Sequence, residues 1–537
     1  MMQDTMLEVR SLEVAIRRRK VITDVSFAIG RGETLALIGE SGSGKSMTAS
    51  AIMGLLPAGL IMAGHSQVLL AGEPLPLGDE ARMRQIRGRR IGMIFQDPMS
   101  CLNPYMSVGK QVDESLRRLG IGSAAERHAR IVELFRLVEL PTPEKLVRRY
   151  PHQLSGGQQQ RVMIAMALAA EPEVLIADEP TSALDATVQA EILNLLQRMQ
   201  ERFGMAILFI THDLAAAARI ASQVVVMQLG KVVEQGAVAR VMAAPEQDYT
   251  RLLVSVRRIL ETPPECPGER GAESNLLAVK NIEYAYPARS ILERPVPALS
   301  DISLKLEASR TLGVLGESGS GKSTLAALIA GLAAPAGGDI ELFGQSMRAR
   351  HFRMSRTIRR RCQIVFQNPF GALNPRLTIE KAMREPIEML EPDAARTIRP
   401  RLEEALGWVG LDAQYLERYP HQLSGGQRQR VCIARSLLSR PDLLICDEVV
   451  SALDASVQMQ VLQTLKSLQE KLGFAMLFIG HDIQIVRWIS DTIVVMNRGR
   501  IVEQGASSQI LTAPRDAYTQ RLIAAMPTPL EMASASV

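Results

Sequence analysis

Two stretches of the sequence have the composition and spacing of a loop that binds phosphate. Both read GESGSGKS, one at residues 39–46 and the other at 316–323. In this pattern, glycines let backbone N–H groups converge on phosphate oxygens, the lysine reaches the β- and γ-phosphates, and the serine hydroxyl binds Mg²⁺. The predicted nucleotide ligands are Gly39, Glu40, Ser41, Gly42, Ser43, Gly44, Lys45 and Ser46 in the first loop, and Gly316, Glu317, Ser318, Gly319, Ser320, Gly321, Lys322 and Ser323 in the second.

Each half also carries a pair of acidic residues directly after an apolar segment. The segment VLIA precedes Asp178 and Glu179, and the segment LLIC precedes Asp447 and Glu448. A carboxylate at the end of a buried strand can organise Mg²⁺ at a phosphate loop, so the two aspartates are predicted metal ligands. The glutamates that follow them are predicted catalytic bases, because they would project towards an attacking water.

Histidine and glutamine end further apolar segments. The histidines follow LFIT and LFIG, and we expect them to polarise the γ-phosphate or to link it to the base. The glutamines end predicted strands, IGMIFQ and CQIVFQ, and we expect them to sense the metal or the water. The predicted catalytic set is Glu179, Glu448, His212, His481, Gln96 and Gln367, and the predicted metal set is Ser46, Gln96, Asp178, Ser323, Gln367 and Asp447.

A second glycine-rich element, LSGGQ, opens a predicted long helix in each half but contains no lysine. A helix N-terminus with glycines favours an anion, yet each copy lies more than a hundred residues after the phosphate loop of its own half. The candidate ligands in this element are Ser155, Gly156, Gly157 and Gln158, and Ser424, Gly425, Gly426 and Gln427.

These residues occur twice because the chain is a tandem repeat. FQDPMSCLNP at 95–104 returns as FQNPFGALNP at 366–375, and Asp447 lies 269 residues after Asp178. Short apolar strands that lead into the glycine loops and acidic pairs predict an α/β fold, a parallel sheet flanked by helices in each half. Its site would lie at the carboxyl ends of the strands. The charged stretches 105–150 and 376–419 are predicted to form inserted helical subdomains.

The predicted domains are residues 1–260 and 276–525, each with a C-terminal extension. Between them, residues 261–275 have the proline, glycine and charge content of a linker. Residues 526–537 are a predicted flexible tail.

The composition argues against nucleic acid as a partner and against a membrane span. The net charge is only +5, and the basic runs are scattered rather than grouped, whereas duplex-binding domains concentrate basic charge on one face. No stretch approaches the roughly 18 apolar residues that a span needs. Five cysteines form no CxxC pair, so a reducing, cytoplasmic compartment is expected.

The ordered motifs resemble the nucleotide-binding domains of ABC ATPases: Walker A, Q-loop, LSGGQ signature, Walker B with its glutamate, D-loop and H-loop. The resemblance covers nearly the whole chain, twice. It implies two tandem P-loop NTPase domains, each with a RecA-like core, a helical subdomain and a small β region, that bind ATP and Mg²⁺ and hydrolyse ATP. It also implies head-to-tail pairing of the two halves, so that the signature at 424–427 closes the nucleotide on Lys45 and the signature at 155–158 closes the nucleotide on Lys322.

Domains of this family usually stack adenine on an aromatic side chain from an early strand. Tyr286 occupies that place in the second half, whereas the first half has Ile16. Aromatic stacking is therefore expected at the second site, and only an apolar contact at the first.

The segments after the Q-loop glutamines and the endings DYTRLL and AYTQRL resemble the peptide/nickel branch of binding-protein-dependent importers. Fused pairs of this kind are similar to the ATPases of dipeptide, glutathione and microcin-C-type systems. The resemblance implies a peripheral energy-coupling subunit for peptide import at the cytoplasmic face of the inner membrane. Its partners would be two transmembrane permease subunits and, indirectly, a periplasmic binding protein.

Two alternatives stay open. Import of nickel or of a metal chelate would use near-identical ATPase motifs. A soluble ABC ATPase acting on ribosomes or DNA is the other, although the short linker and the lack of cysteine clusters argue against it.

Overall fold

A computed structural model of the chain describes residues 5–17, 19–181, 184–261, 275–287, 295–348, 353–391, 398–451 and 453–525. The chain divides into two compact units, with the division between Arg258 and Ile259. Of the predicted linker, only the ends, Glu261 and Asn275, lie within the described residues. Cys266 and the predicted tail 526–537 lie outside them, and the domain limits remain predictions.

The first unit contains eleven described strands and eleven described α-helices. The strands are β1 Thr5–Ile16, β2 Arg19–Gly30, β3 Thr34–Ile38, β4 Leu60–Met62, β5 Gln67–Leu70, β6 Glu73–Pro74, β7 Ile91–Ile94, β8 Val174–Asp178, β9 Ala206–Thr211, β10 Gln223–Gln228 and β11 Lys231–Ala237. The helices are α1 Lys45–Ile52, α2 Glu80–Ile86, α3 Pro98–Cys101, α4 Val108–Arg118, α5 Ala124–Leu137, α6 Pro143–Leu146, α7 Gly156–Ala167, α8 Ala186–Phe203, α9 Leu214–Ile220, α10 Val238–Ala243 and α11 Asp248–Glu261.

The second unit repeats this order. Its described strands are β12 Asn275–Tyr286, β13 Val296–Glu307, β14 Thr311–Leu315, β15 Gly337–Leu342, β16 Gln345–Arg348, β17 Cys362–Val365, β18 Leu443–Asp447, β19 Ala475–Gly480, β20 Thr492–Asn497 and β21 Arg500–Ala506. Its described α-helices are α12 Lys322–Ile329, α13 Arg356–Arg361, α14 Pro369–Ala372, α15 Ile379–Leu390, α16 Ile398–Trp408, α17 Gly425–Leu437, α18 Ala455–Leu472, α19 Ile483–Ile489, α20 Ser507–Thr512 and α21 Ala517–Ala524.

Each unit is built on a six-stranded sheet, in the order β11-β10-β3-β9-β8-β7 in the first unit and β17-β18-β19-β14-β20-β21 in the second. Five strands of each sheet are parallel, as predicted, but the sixth is antiparallel. In the first unit a two-residue turn at Leu229 and Gly230, both with positive φ, returns the chain directly from β10 to β11. Such a turn can only join antiparallel neighbours.

A separate antiparallel sheet accompanies each main sheet, with the order β2-β1-β5-β6 in the first unit and β13-β12-β15-β16 in the second. The predicted helical subdomain of the first unit corresponds to α4, α5 and α6; α4 and α5 pack against each other and against α7, and α6 packs against α5. Its apolar residues, such as Val112 and Phe135, are fully buried. Within the part of the chain that the structure describes, no helix combines the length and the apolar character needed to cross a bilayer.

The register of the central strands brings the predicted functional residues to one edge of the sheet. In the first unit, Ile38 of β3 pairs with Thr211 of β9, and Asp178 of β8 pairs with Ile210. All residues of these three strands are buried, as expected for central parallel strands covered on both faces. Gly39, Glu179 and His212 are therefore the first residues after the ends of these neighbouring strands.

The two units differ where a helix packs on the strand before the phosphate loop. In the second unit, a Cβ added to Gly313 of β14 would lie 2.5 Å from Ser490 Oγ and 2.6 Å from Val486 Cγ1. The first unit has alanine at all three corresponding positions, Ala36, Ala217 and Ala221, and these residues pack in one cluster. In the second unit, glycine on the strand thus faces valine and serine. In the first unit, alanine on the strand faces two alanines.

We expect Gly313→Ala to lower the free energy of unfolding of the second unit by about 1–3 kcal/mol, because it overpacks a filled core. Adding Val486→Ala and Ser490→Ala should recover part of the loss. Both tryptophans of the chain, Trp408 and Trp488, belong to the second unit, so tryptophan fluorescence in urea reports this unit. The control is Gly407→Ala in α16, where an added Cβ meets nothing within 4 Å; an equal loss there would contradict the packing explanation.

Candidate functional site

The first phosphate loop is pressed against the end of strand β10. Gly39 has a φ of 155°, and a Cβ at this position would lie 2.3 Å from the backbone oxygen of Met227. Gly44, with a φ of 103°, caps helix α1 in the left-handed conformation, which only glycine adopts freely. In the second unit, a Cβ added to Gly316 would lie at the same distance, 2.3 Å, from the backbone oxygen of Met496. Gly321 caps α12 with a φ of 102°.

The loop lysines are buried and reach back over their own loops. Lys45 Nζ donates hydrogen bonds to the carbonyls of Gly39 at 2.7 Å and Glu40 at 3.0 Å, and it lies 4.0 Å from Glu179 Oε1. Lys322 makes the matching bonds to Gly316 and Glu317 and lies 4.0 Å from Glu448 Oε1. Each ammonium group is therefore fixed at the mouth of the loop, with its charge close to the predicted base.

Both loops have the features that a phosphate needs. A Cβ added to Gly42 or to Gly319 would meet nothing within 4 Å, so this side of each loop is open. The Oγ atoms of Ser43 and Ser320 are buried and have no hydrogen-bond partner among the residues that the structure describes, which is costly unless a ligand supplies one. The residues present thus fit a bound phosphate group.

A serine hydroxyl and a carboxylate meet beside each loop. Ser46 Oγ donates to Asp178 Oδ1 at 3.0 Å, and Ser323 Oγ donates to Asp447 Oδ1 at 3.1 Å. Burial raises the pKa of Asp178 to about 6 and also raises the pKa of Asp447, although the serine hydrogen bonds act in the opposite direction. These hard oxygen donors suit Mg²⁺, whose charge would favour the ionised carboxylates.

Glu179 and Glu448 are held in a backbone conformation that side chains rarely adopt. Their φ angles are 46° and 48°, in the left-handed region, which costs free energy for residues other than glycine. Their N–H groups donate to the carbonyls of Ile210 and Ile479 in the neighbouring strands. Each glutamate thus leaves its strand by a sharp, hydrogen-bonded turn that directs its side chain away from the aspartate before it.

The predicted glutamine and histidine converge on the glutamate in both units. Gln96 Nε2 donates to Glu179 Oε2 at 3.1 Å, and His212 Nδ1 lies 3.3 Å from the same oxygen. In the second unit the corresponding distances to Glu448 Oε2 are 2.8 Å from Gln367 and 3.7 Å from His481. The prediction that the glutamines end their strands is wrong by two residues, because the pairing of β7 with β8 stops at Ile94 and that of β17 with β18 stops at Val365.

The surroundings keep both glutamates ionised. Burial alone would raise the pKa of Glu179, but the hydrogen bond and charge of His212 and the charge of Lys45 together lower it. The polar contact with His481 is the main cause of the lowered pKa of Glu448, and the same contact raises the pKa of His481. A carboxylate that is ionised and positioned in this way can accept a proton from water.

The two LSGGQ segments begin helices α7 and α17 with matching capping boxes. Ser155 Oγ accepts from the N–H of Gln158, whose side chain accepts from the N–H of Ser155; Ser424 and Gln427 repeat the arrangement. The two glycines of each pair have different surroundings. A Cβ on the second glycine would lie 2.7 Å from Val188 at Gly157 and 2.5 Å from Val457 at Gly426.

The first glycine of each pair has no such internal contact. Among the described residues, which leave out 182–183 and 452, a Cβ at Gly425 would meet nothing within 4 Å, and one at Gly156 would meet Leu184 at 3.9 Å. Both glycines are exposed and have no positive φ. Neither packing nor backbone conformation therefore requires glycine here, which points to an external group that approaches the backbone closely.

The predicted adenine platforms differ between the units. Tyr286 ends strand β12, is half exposed, and shares a hydrogen bond of 2.7 Å with Thr324 Oγ1 on helix α12. Ile16 ends strand β1 and is 42% exposed, and methionine, Met47, stands where the second unit has Thr324. The second unit thus presents a fixed aromatic ring beside its phosphate loop, and the first presents an aliphatic side chain.

One pair of residues that touches the loops was not among the predicted site residues. The N–H of Glu40 donates to the hydroxyl of Tyr249 at 3.0 Å, and the N–H of Glu317 donates to the hydroxyl of Tyr518 at 3.1 Å. The signal in the sequence was the repeated YT of the two C-terminal endings.

Comparison with known proteins agrees with the arrangement in both units. The model of the ABC transporter family matches residues 22–182 and again residues 299–451. The chain is 42% identical over 529 residues to the peptidoglycan transport ATP-binding protein YejF of Agrobacterium fabrum, an alignment that covers 97% of this chain and 96% of that one.

Two further relatives align over the same share of this chain. The glutathione import ATP-binding protein GsiA of Pectobacterium atrosepticum is 40% identical over 557 residues, covering 97% of this chain and 89% of its own. An ABC transporter ATP-binding protein YejF of Escherichia coli, itself uncharacterized, is 42% identical over 534 residues, covering 97% and 100%. The predicted fold of two tandem P-loop ATPase domains is confirmed, and the chain belongs to the ABC transporter family as an ATP-binding, ATP-hydrolysing protein.

Proposed function

We propose that each unit binds the phosphates of one ATP in its phosphate loop and that Glu179 and Glu448 are the catalytic bases. The observation that carries the proposal is the convergence of lysine, glutamine and histidine on one ionised glutamate in both units. Neither unit lacks a member of the set, so both are proposed to hydrolyse ATP.

The side chains around each loop have distinct roles in this proposal. Lys45 and Lys322 would exchange their bonds to loop carbonyls for bonds to the β- and γ-phosphates. Mg²⁺ would be held by Ser46, Asp178 and Gln96, and by Ser323, Asp447 and Gln367, and would supply charge neutralisation to the phosphates. His212 and His481 would orient the glutamate and contact the γ-phosphate.

The signature segments are proposed to close the nucleotide of the other unit. The unexplained first glycines, Gly156 and Gly425, support a backbone contact with an external anion at the start of α7 and α17. In the head-to-tail pairing typical of the family, Ser155–Gln158 would contact the nucleotide on Lys322, and Ser424–Gln427 the nucleotide on Lys45. Removal of the γ-phosphate would then release the closed state.

The transported substrate is proposed to be a peptide or a peptide-like compound. The relatives reported above are named for glutathione and peptidoglycan; the first is a small peptide, and the second carries short peptides. The chain would act at the cytoplasmic face of the inner membrane with two transmembrane permease subunits and a periplasmic binding protein. Hydrolysis would power the conformational change of those subunits.

The first test concerns the bases. The double variant Glu179→Gln and Glu448→Gln should lose at least about 100-fold in ATP turnover, because glutamine cannot accept the proton from water. ATP binding, measured by equilibrium titration, should persist, since the amide has nearly the same shape. The exposed Glu133 offers a control, Glu133→Gln, which should hydrolyse normally. Near wild-type turnover in the double variant would remove both glutamates from the mechanism.

The second test concerns the crossed pairing. Gly156→Asp places a negative charge where the nucleotide on Lys322 is proposed to lie. Combined with Glu448→Gln, it should leave the turnover of Glu448→Gln unchanged, because the remaining active site is built on Lys45. Combined with Glu179→Gln, it should abolish the remaining turnover. The opposite pattern would show that each signature serves its own unit.

The third test concerns the role in import. Purified in mild detergent from the membranes of its own cells, the tagged chain should bring two permease subunits in equal amounts. Deleting the chain should abolish uptake of a labelled tripeptide but not of nickel. A chain recovered only with ribosomes or DNA would overturn the proposal of a transporter subunit. Loss of nickel uptake without loss of tripeptide uptake would show that the substrate is nickel rather than a peptide.

A further inference from the structure

The C-terminal extension of each unit touches the phosphate loop of the same unit through a single hydroxyl group. Tyr249 is the second residue of α11, and Tyr518 is the second residue of α21. Their hydroxyl oxygens accept hydrogen bonds from the second residues of the two loops, Glu40 and Glu317. The contact is preserved in both copies, although helix α11 has 14 residues and α21 has 8.

The tyrosine rings are themselves fixed in place. Tyr249 and Tyr518 are only 8% and 7% exposed. The backbone just before each tyrosine is bonded to a glutamate of the last strand, buried in the first unit and half-buried in the second: Glu234 accepts from the N–H groups of residues 246 and 247, and Glu503 from those of residues 515 and 516. These hydrogen bonds attach the C-terminal extension to the antiparallel edge strand of the main sheet. They thereby fix the position of the tyrosine hydroxyl beside the phosphate loop.

The tyrosine contact differs from the other contacts that hold the loop. In the first unit the carbonyls of Gly39 and Glu40 are bonded by Lys45 Nζ, and a bound phosphate would compete for this ammonium group. On the other side, the N–H of Gly230 donates to the carbonyl of Ser43. The Tyr249 hydroxyl accepts from the N–H of Glu40 at the entrance of the loop, and this hydrogen bond does not use the Lys45 ammonium group for which a phosphate would compete.

We propose that Tyr249 and Tyr518 are positioning residues that hold the entrance of the phosphate loop in its binding conformation, each for the loop of its own unit. Without the hydroxyl, the peptide between Gly39 and Glu40 loses its contact with the C-terminal extension, and a partly buried N–H loses this hydrogen bond. The loop would then have to be ordered by the nucleotide itself, which lowers affinity. The inference rests on the proposed binding of nucleotide at Lys45 and Lys322.

The test removes one hydroxyl at a time in full-length chains that keep a single working loop. Lys322→Ala leaves the loop of the first unit, and Lys45→Ala leaves that of the second. In the Lys322→Ala background, Tyr249→Phe should raise the Kd for fluorescent mant-ADP with Mg²⁺ by about 3- to 10-fold. In the Lys45→Ala background the same substitution should change the Kd by less than about twofold. Tyr518→Phe should show the reverse pattern.

Two further measurements separate positioning from a purely structural role. In chains with both loops intact, Tyr249→Phe should raise the KM for ATP while kcat stays within about twofold, because the catalytic glutamates are unchanged. The matched control is Tyr105→Phe, which removes the hydroxyl of a tyrosine that is 89% exposed and should alter neither constant. A lowered unfolding temperature with unchanged Kd in both backgrounds would overturn the inference.

The outcome also distinguishes this inference from the proposed function. If the Lys322→Ala chain binds mant-ADP and Tyr249→Phe leaves its Kd unchanged, only the positioning role fails. If the chain that keeps Lys45 binds no nucleotide before any tyrosine is changed, the proposed site fails, and the positioning role fails with it.

Discussion

The close approach of two stretches of backbone is the constraint on which both sites depend. The phosphate loop enters its unit against the last residues of strand β10, with no room for a side chain at Gly39. The turn after β10 then lies against the loop from the other side, through the hydrogen bond from Gly230 to Ser43. Because the loop has this rigid support, its amides can be arranged in advance for an anion and need little reorganisation on binding.

Once the loop is supported in this way, few further requirements determine the geometry of the proposed catalytic residues. Parallel register puts the ends of β3, β8 and β9 at one level, so lysine, glutamate and histidine meet without long loops. The left-handed turn at Glu179 then separates two adjacent carboxylates into two environments. Burial leaves Asp178 with a raised pKa, whereas the neighbours of Glu179 lower its pKa. Two acids of similar intrinsic acidity thus acquire different properties, as the proposed roles of Asp178 as a metal ligand and of Glu179 as a base require.

Much of this arrangement could be predicted from the sequence, because it depends on local order. Repeated motifs revealed the two units, and apolar segments that end in charged residues placed Asp178, Glu179 and His212 at strand ends. Contacts between distant segments could not be predicted in this way. Nothing in the residues around Gln96 indicates that its amide reaches Glu179, and nothing around Tyr249 indicates a contact with Glu40, 209 positions away. The first pair depends on the pairing of β7 with β8 and the second on where α11 packs, and periodicity encodes neither.

The complementary packing of Ala36 with alanines, and of Gly313 with Val486 and Ser490, bears on how a duplicated gene keeps its two copies distinct. Repeats this similar are exposed to gene conversion, which copies one stretch onto the other. Transfer of the strand alone would place a methyl group within 2.6 Å of side-chain atoms of α19, and transfer of the helix alone would leave cavities. Only a tract that carries both elements would preserve the packing, so the interior of each copy opposes the transfer of the strand or of the helix alone.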